Sequence, residues 1–231
     1  MQLAELVEVL VLAGKNVLII DACLLLDVIQ APTRDKLRIV EFAMKIDAMI
    51  QANALPFSIV LPYLFQNEWN ANVQRVCSEV SKDLNKHKEL TQVYDNLHSL
   101  LFGNPLSDLD LTTYLFEASL EQLCRRIIAA AHRIEKQDVF AIRAFDRVEA
   151  GRAPARRGKS EPEDCRNFEE AIGLGKELRQ QGFVKKIIFA SSNTSDYGNT
   201  SNPLPDIKDD LNSINAEFAA SLEYAFHLAS S

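Results

Sequence analysis

Apolar positions along the chain alternate between two rhythms. Leu3, Leu6, Val7 and Leu10 recur at helical spacing over Gln2 to Ala13, and Gly14 follows where a left-handed cap would end the helix. Val17, Leu18, Ile19 and Ile20 then run unbroken into Asp21, the pattern of a parallel strand buried on both faces. After a connecting loop, a helix is expected from Thr33, an N-cap behind Pro32, to about Ala52, with Ile39, Phe42, Ala43, Ile46 and Ile50 on one face. Phe57 to Leu61 reads as a second strand, and Pro62 marks the loop from which a helix carrying Glu68 and Trp69 departs.

The span 73–149, with Gly103 and Pro105 as its only breakers, reads as helix throughout, and Leu120, Leu123, Ile127, Ala131 and Ile134 form one stripe. That is more helix than one crossover needs, so it is expected to be an inserted layer or cap. A Gly- and Pro-containing loop over 151–159 leads to a helix near Asp164; Lys186 to Ala190 is a further strand, and Ser213 to Leu228 reads as a last amphipathic helix. Three to five strands separated by helices predict an α/β fold: one domain over 1–231, with an open, mostly parallel sheet and helices on both faces.

Composition narrows the class. The 231 residues carry 32 acidic against 25 basic side chains and are 47% hydrophobic, which excludes a disordered tail protein. The apolar stretch from Val17 to Ile29 is interrupted by Asp21 and Asp27, and Glu5 and Glu8 stand where a secretion signal would carry Lys or Arg, so a soluble cytoplasmic protein with no membrane partner is expected. Cys23, Cys77, Cys124 and Cys165 are scattered without a C-x-x-C pair, and His87, His98, His132 and His227 show no zinc spacing. A metal site here would have to be built from oxygen.

In an open parallel sheet, ligands bind beyond the carboxyl ends of the strands. Those positions are acidic: Asp21 closes the first strand, Glu68 lies past the second, Asp164 opens a helix, and Asp196 follows the last strand within Ser191-Ser192-Asn193-Thr194-Ser195-Asp196. Carboxylates converging at one rim repel each other unless a cation neutralises them, and clustered oxygen donors suit Mg2+ or Mn2+. Two such ions support phosphodiester hydrolysis by activating water and stabilising the leaving oxygen.

The order of these parts, together with Gly158-Lys159 before Asp164-Cys165-x-x-x-Glu169, the Ser191-Ser192-Asn193-x-x-Asp196 segment and the closing Leu204-Pro205-Asp206-Ile207, resembles the PIN-domain nucleases, and among them a bacterial PIN-like subgroup with an S-S-N-x-x-D strand end. The resemblance spans about residues 16 to 228. It implies a Rossmann-like fold and a Mg2+- or Mn2+-dependent endonuclease acting on single-stranded RNA, with DNA as the second substrate class. Asp21, Glu68, Asp164 and Asp196 would be the metal-binding and catalytic acids. The helix before the first strand is extra, the helical middle is long for the toxin-type members, and Glu161 and Glu163 compete with Asp164 for the metal-facing position.

The same residues have plainer roles. Asp21 and Asp164 suit helix caps, Asp196 a turn, and Glu68 a solvated helix face. The basic loop of Arg152, Arg156, Arg157 and Lys159 is a solvated segment unless the acids bind metal, when Arg156, Arg157 and Lys159 become a phosphate clamp, with Lys159 at the scissile phosphate. Arg125, Arg126 and Arg133 on the middle helix would extend that basic track or form a polar face. Ser192 and Asn193 are expected to orient Asp196 and to contact substrate, and Trp69 to belong to the core rather than stack on a base. The net charge of -7 opposes tight nucleic-acid binding, and two divalent ions would reduce it to about -3. The competing reading is a catalytically silent scaffold that binds RNA or a protein. An antitoxin or regulatory protein and a second copy of the chain stay open as partners. A phosphotransfer domain using Asp21 as acceptor is disfavoured, because Ala22-Cys23 follows where D-x-D is required.

Overall fold

A computed structural model of the protein describes residues 1–34, 36–103, 114–155 and 162–231. Five parallel strands form one sheet in the order β3-β2-β1-β4-β7. They are β1 (Asn16–Ile20), β2 (Phe57–Leu61), β3 (His132–Arg133), β4 (Ile187–Ala190) and β7 (Glu217–Ala219), and a two-stranded hairpin joins β5 (Gly198–Asn199) to β6 (Asn202–Pro203). The helices are α1 (Leu3–Ala13), α2 (Ala22–Gln30), α3 (Leu37–Gln51), α4 (Phe65–Phe102), α5 (Phe116–Ala130), α6 (Asp138–Glu149), α7 (Pro162–Gln180), α8 (Thr194–Tyr197), α9 (Pro205–Ser213) and α10 (Leu222–Ser230).

The strand sequences show why the sheet lies between two helical layers. Leu18 and Ile20 of β1 and Ile188 and Ala190 of β4 enter one hydrophobic cluster with α2, α3, α4, α5 and α10. Val17, Ile19, Ile187 and Phe189 alternate with them and enter a second cluster with α1, α7 and α9. A strand buried on both faces must be apolar at every position, which is what the unbroken runs signalled. Among the described residues, no helix is long and apolar enough to cross a membrane.

Several expected boundaries move. Residues 22–30, expected as loop, form α2, because Asp21 accepts the Ala22 N–H at 2.8 Å and caps a helix directly on the strand end. Thr33 lies in a short 3-10 turn over Ala31–Arg34, and the helix behind it begins at Leu37. The span 73–149 is not helix alone: it contains the edge strand β3, paired with β2 through Val60 and Leu61. The single helix expected over Ser213 to Leu228 is instead the end of α9, strand β7 and α10. Asn215 breaks it by taking a left-handed φ of 49°. Arg133 lies on β3 rather than on a helix, while Arg125 pairs with Glu121 and Arg126 clamps Asp47 through two nitrogens, so these three do not form one open basic track.

The proximal part of α4 buries Val73, Val76 and Val80 in the cluster it shares with α2 and α5, whereas its distal part leaves Leu90, Val93, Tyr94, Leu97, Leu100 and Leu101 exposed. Gly198 sits where the chain leaves α8 with a φ of 88°, and a Cβ there would lie 2.6 Å from the Leu204 nitrogen. Gly198→Ala is therefore expected to lower stability by roughly 1–3 kcal/mol, measured by urea unfolding.

Candidate active site

The order of strands reverses direction at β1, so the crevice between the carboxyl ends of β1 and β4 is the switch point where doubly wound sheets bind ligands. Ile20 pairs with Ala190 there, and the Asp21 N–H donates to the Ala190 carbonyl at 2.9 Å. Register thus sets Asp21 beside Ser191. The Ser191 hydroxyl donates to Asp21 Oδ2 at 2.7 Å, the Cys23 thiol donates to the same oxygen at 3.1 Å, and the Ala22 N–H takes the other. Buried Asp21 is held by three donors from two strand ends.

Asn193 carries the arrangement onward. Its backbone N–H donates to Ser191 Oγ at 3.2 Å, and its side-chain amide donates to Asp196 Oδ2 at 2.8 Å and to Asp164 Oδ2 at 3.2 Å. The Tyr197 hydroxyl, on α8 with Asp196, donates to the Asp164 carbonyl at 3.1 Å and ties α8 to the first turn of α7. Asp164, rather than Glu163, is the acid joined to this amide.

Glu68, in the first turn of α4, faces the same group. Asn167, one helical turn after Asp164, donates its amide to Glu68 Oε1 at 2.7 Å. Burial, then the charge of Asp21, then those of Asp164 and Glu163, push the Glu68 carboxyl up to about 8 against the opposing bond from Asn167. Burial and the neighbouring Asp21 likewise raise Cys23, which keeps its proton and serves as a donor.

The four acids expected from sequence thus meet at one rim, linked by Ser191, Asn193 and Asn167. Asn193 orients Asp196 as expected; Asp21 is held by Ser191, while Ser192 contributes its backbone N–H to Cys23 Sγ. Arg156, Arg157 and Lys159, expected as the phosphate clamp, and Glu161 lie outside the described residues. Arg152 is engaged with Asp210, and Trp69 is fully buried and stacked on Phe65. Sequence reading missed Ser191, Cys23 and Asn167. A signal for Asn167 existed in its i, i+3 spacing from Asp164.

Among the described residues, no three His, Cys, Asp or Glu side chains are arranged as a metal-holding group. Their spacing is set instead by the amide and hydroxyl groups between them. The donor chemistry nonetheless fits a hard divalent ion: every acid offers oxygen, Glu68 is raised by burial and then by its acidic neighbours, and Asn167 Oδ1 beside them is buried without a hydrogen-bond partner. No family model, curated protein or solved structure matches this chain.

Because Glu68 binds its proton more tightly in the folded than in the unfolded chain, stability in a chelator should fall as pH rises from about 4.5 towards about 8. Glu68→Gln should remove that slope. Urea unfolding across this range checks it: the variant matches wild type near pH 4 and exceeds it near pH 8.

Proposed function

We propose that the protein is a Mg2+- or Mn2+-dependent phosphodiesterase of PIN-like type, an endonuclease whose first substrate class is single-stranded RNA. The observation that supports this best is the meeting of Asp21, Glu68, Asp164 and Asp196 at the switch point of a parallel sheet, with Glu68 raised by burial and then by its acidic neighbours. Like charges gathered this closely cost stability unless a ligand uses them. A bound divalent ion supplies Lewis-acid polarisation of a phosphate oxygen and activation of water.

The chain's own groups fall into clear tasks. Asp21 and Asp196 would hold one ion and Glu68 with Asp164 a second, and Ser191 and Asn193 fix the carboxylate rotamers so that little ordering remains for the moment of reaction. Asn167 holds Glu68 Oε1, and Glu68 must lose its proton before it can ligate. Lys159, Arg156 and Arg157 are assigned to phosphate contact by sequence position alone.

Labelled single-stranded RNA and DNA incubated with the protein in manganese or in a chelator test this reading. Cleavage is expected in manganese only, and Asp21→Asn should lower the rate at least about a hundredfold, roughly 2.7 kcal/mol of barrier, while leaving the circular dichroism spectrum unchanged. Wild-type rates from Asp21→Asn overturn the assignment. Metal binding has its own readout: millimolar manganese should raise the unfolding midpoint of wild type more than that of Asp164→Asn, because a ligand for the native state stabilises it by mass action. Folded protein that shows neither a manganese shift nor cleavage would instead be the silent scaffold.

A further inference from the structure

We propose that the cavity flanking the acidic rim, between α2, the start of α3 and the loops after β4 and β7, receives one nucleotide of the single-stranded substrate next to the bond that is cut. This rests on the nuclease reading and adds the side on which the strand lies. The cavity encloses about 800 Å³, within the range of sites that take small ligands. It shares Cys23 and Asn193 with the acidic site. Since Cys23 contacts Asp21 and Asn193 contacts both Asp164 and Asp196, a group seated there lies one side chain away from the carboxylates.

Its lining has the two chemistries a nucleotide needs. Arg34, Lys36 and Arg38 supply positive charge from the turn into α3. Arg34 pairs with Asp27 and Arg38 with Glu223 at 2.6 Å, both acids of the same cavity. The Arg38 side chain is 72% exposed and that of Glu223 34%, so this pair is weak in water and the Arg38 guanidinium can exchange its carboxylate for a phosphate, whereas Arg34 is held by the largely buried Asp27. Lys36 has no ion pair among the described residues. Leu37 lies exposed on the same wall and offers an apolar ledge to a base, with the Ser221 and Thr194 hydroxyls within the lining for its polar edge. An acidic rim alone repels a polyanion; cations within about 10 Å are what let one dock.

The test measures binding of a short labelled single-stranded RNA, and of DNA of the same sequence, by fluorescence anisotropy over a salt series in calcium. The proteins are wild type, Lys36→Ala, Lys36→Ala with Arg38→Ala, and Lys208→Ala on α9 as a control. The slope of log affinity against log salt should fall by about 0.7 for each phosphate-pairing cation removed, equally on RNA and DNA, with Lys208→Ala unchanged. In manganese the double variant should raise KM and hold kcat. Lys36 is exposed, so its single variant keeps the fold and reads the effect even if the double variant unfolds. Unchanged slopes alongside tight wild-type binding overturn the cavity assignment and leave the nuclease reading standing; a loss confined to one polymer overturns phosphate pairing. Wild type that binds neither polymer overturns both.

Discussion

The parallel pairing of β1 with β4, each strand apolar on both faces, is the constraint on which the site depends. Because every position that the two strands pair is buried, a one-residue slip would exchange the residues entering the two helical layers. Register is therefore held by the whole core, and it ends with Asp21 and Ser191 side by side where the sheet reverses its winding. The polar residues at the strand ends inherit their positions from hydrophobic packing several residues away.

That inherited geometry places carboxylates together at an electrostatic cost. The fold meets part of it with neutral donors: a serine hydroxyl and a thiol on Asp21, one asparagine amide shared by Asp164 and Asp196, another on Glu68. Glu68, the acid on the helix after β2, is pushed up first by its burial and then by the charges of Asp21, Asp164 and Glu163, so that it holds its proton towards the neutral range.

Two buried charges away from the acidic rim are structural. Buried Arg147 joins Glu169 of α7 to Asp210 of α9 and donates to the Ala153 carbonyl, fixing the segment before α7. Glu170, also buried, accepts the Tyr63 N–H at 2.7 Å and pairs with Arg166, which anchors the turn from β2 into α4 to the helix bearing Asp164. These ties hold Glu68 and Asp164, on different helices, in one frame. They are costly to break, since removing one partner strands a buried charge.

The order of residues alone dictates the alternation of strand and helix and the burial of β1, β2 and β4 on both faces, because each is carried by a continuous run of residues, and it shows acids just beyond the apolar runs. It could not reveal β3 and β7: two and three residues are too short to show a period, and they are strands only because the exposed edges of β2 and β4 are there to pair with them. It hid α2 for a related reason, since the apolar run continues past Asp21 and only the capping bond marks where strand gives way to helix. The acids were legible one by one. Their company, and the use of Ser191, Cys23 and Asn167 to orient them, came from packing in three dimensions. A hydrogen bond between residues 170 positions apart, as from Ser191 to Asp21, follows from strand register and helix packing, which no local pattern encodes.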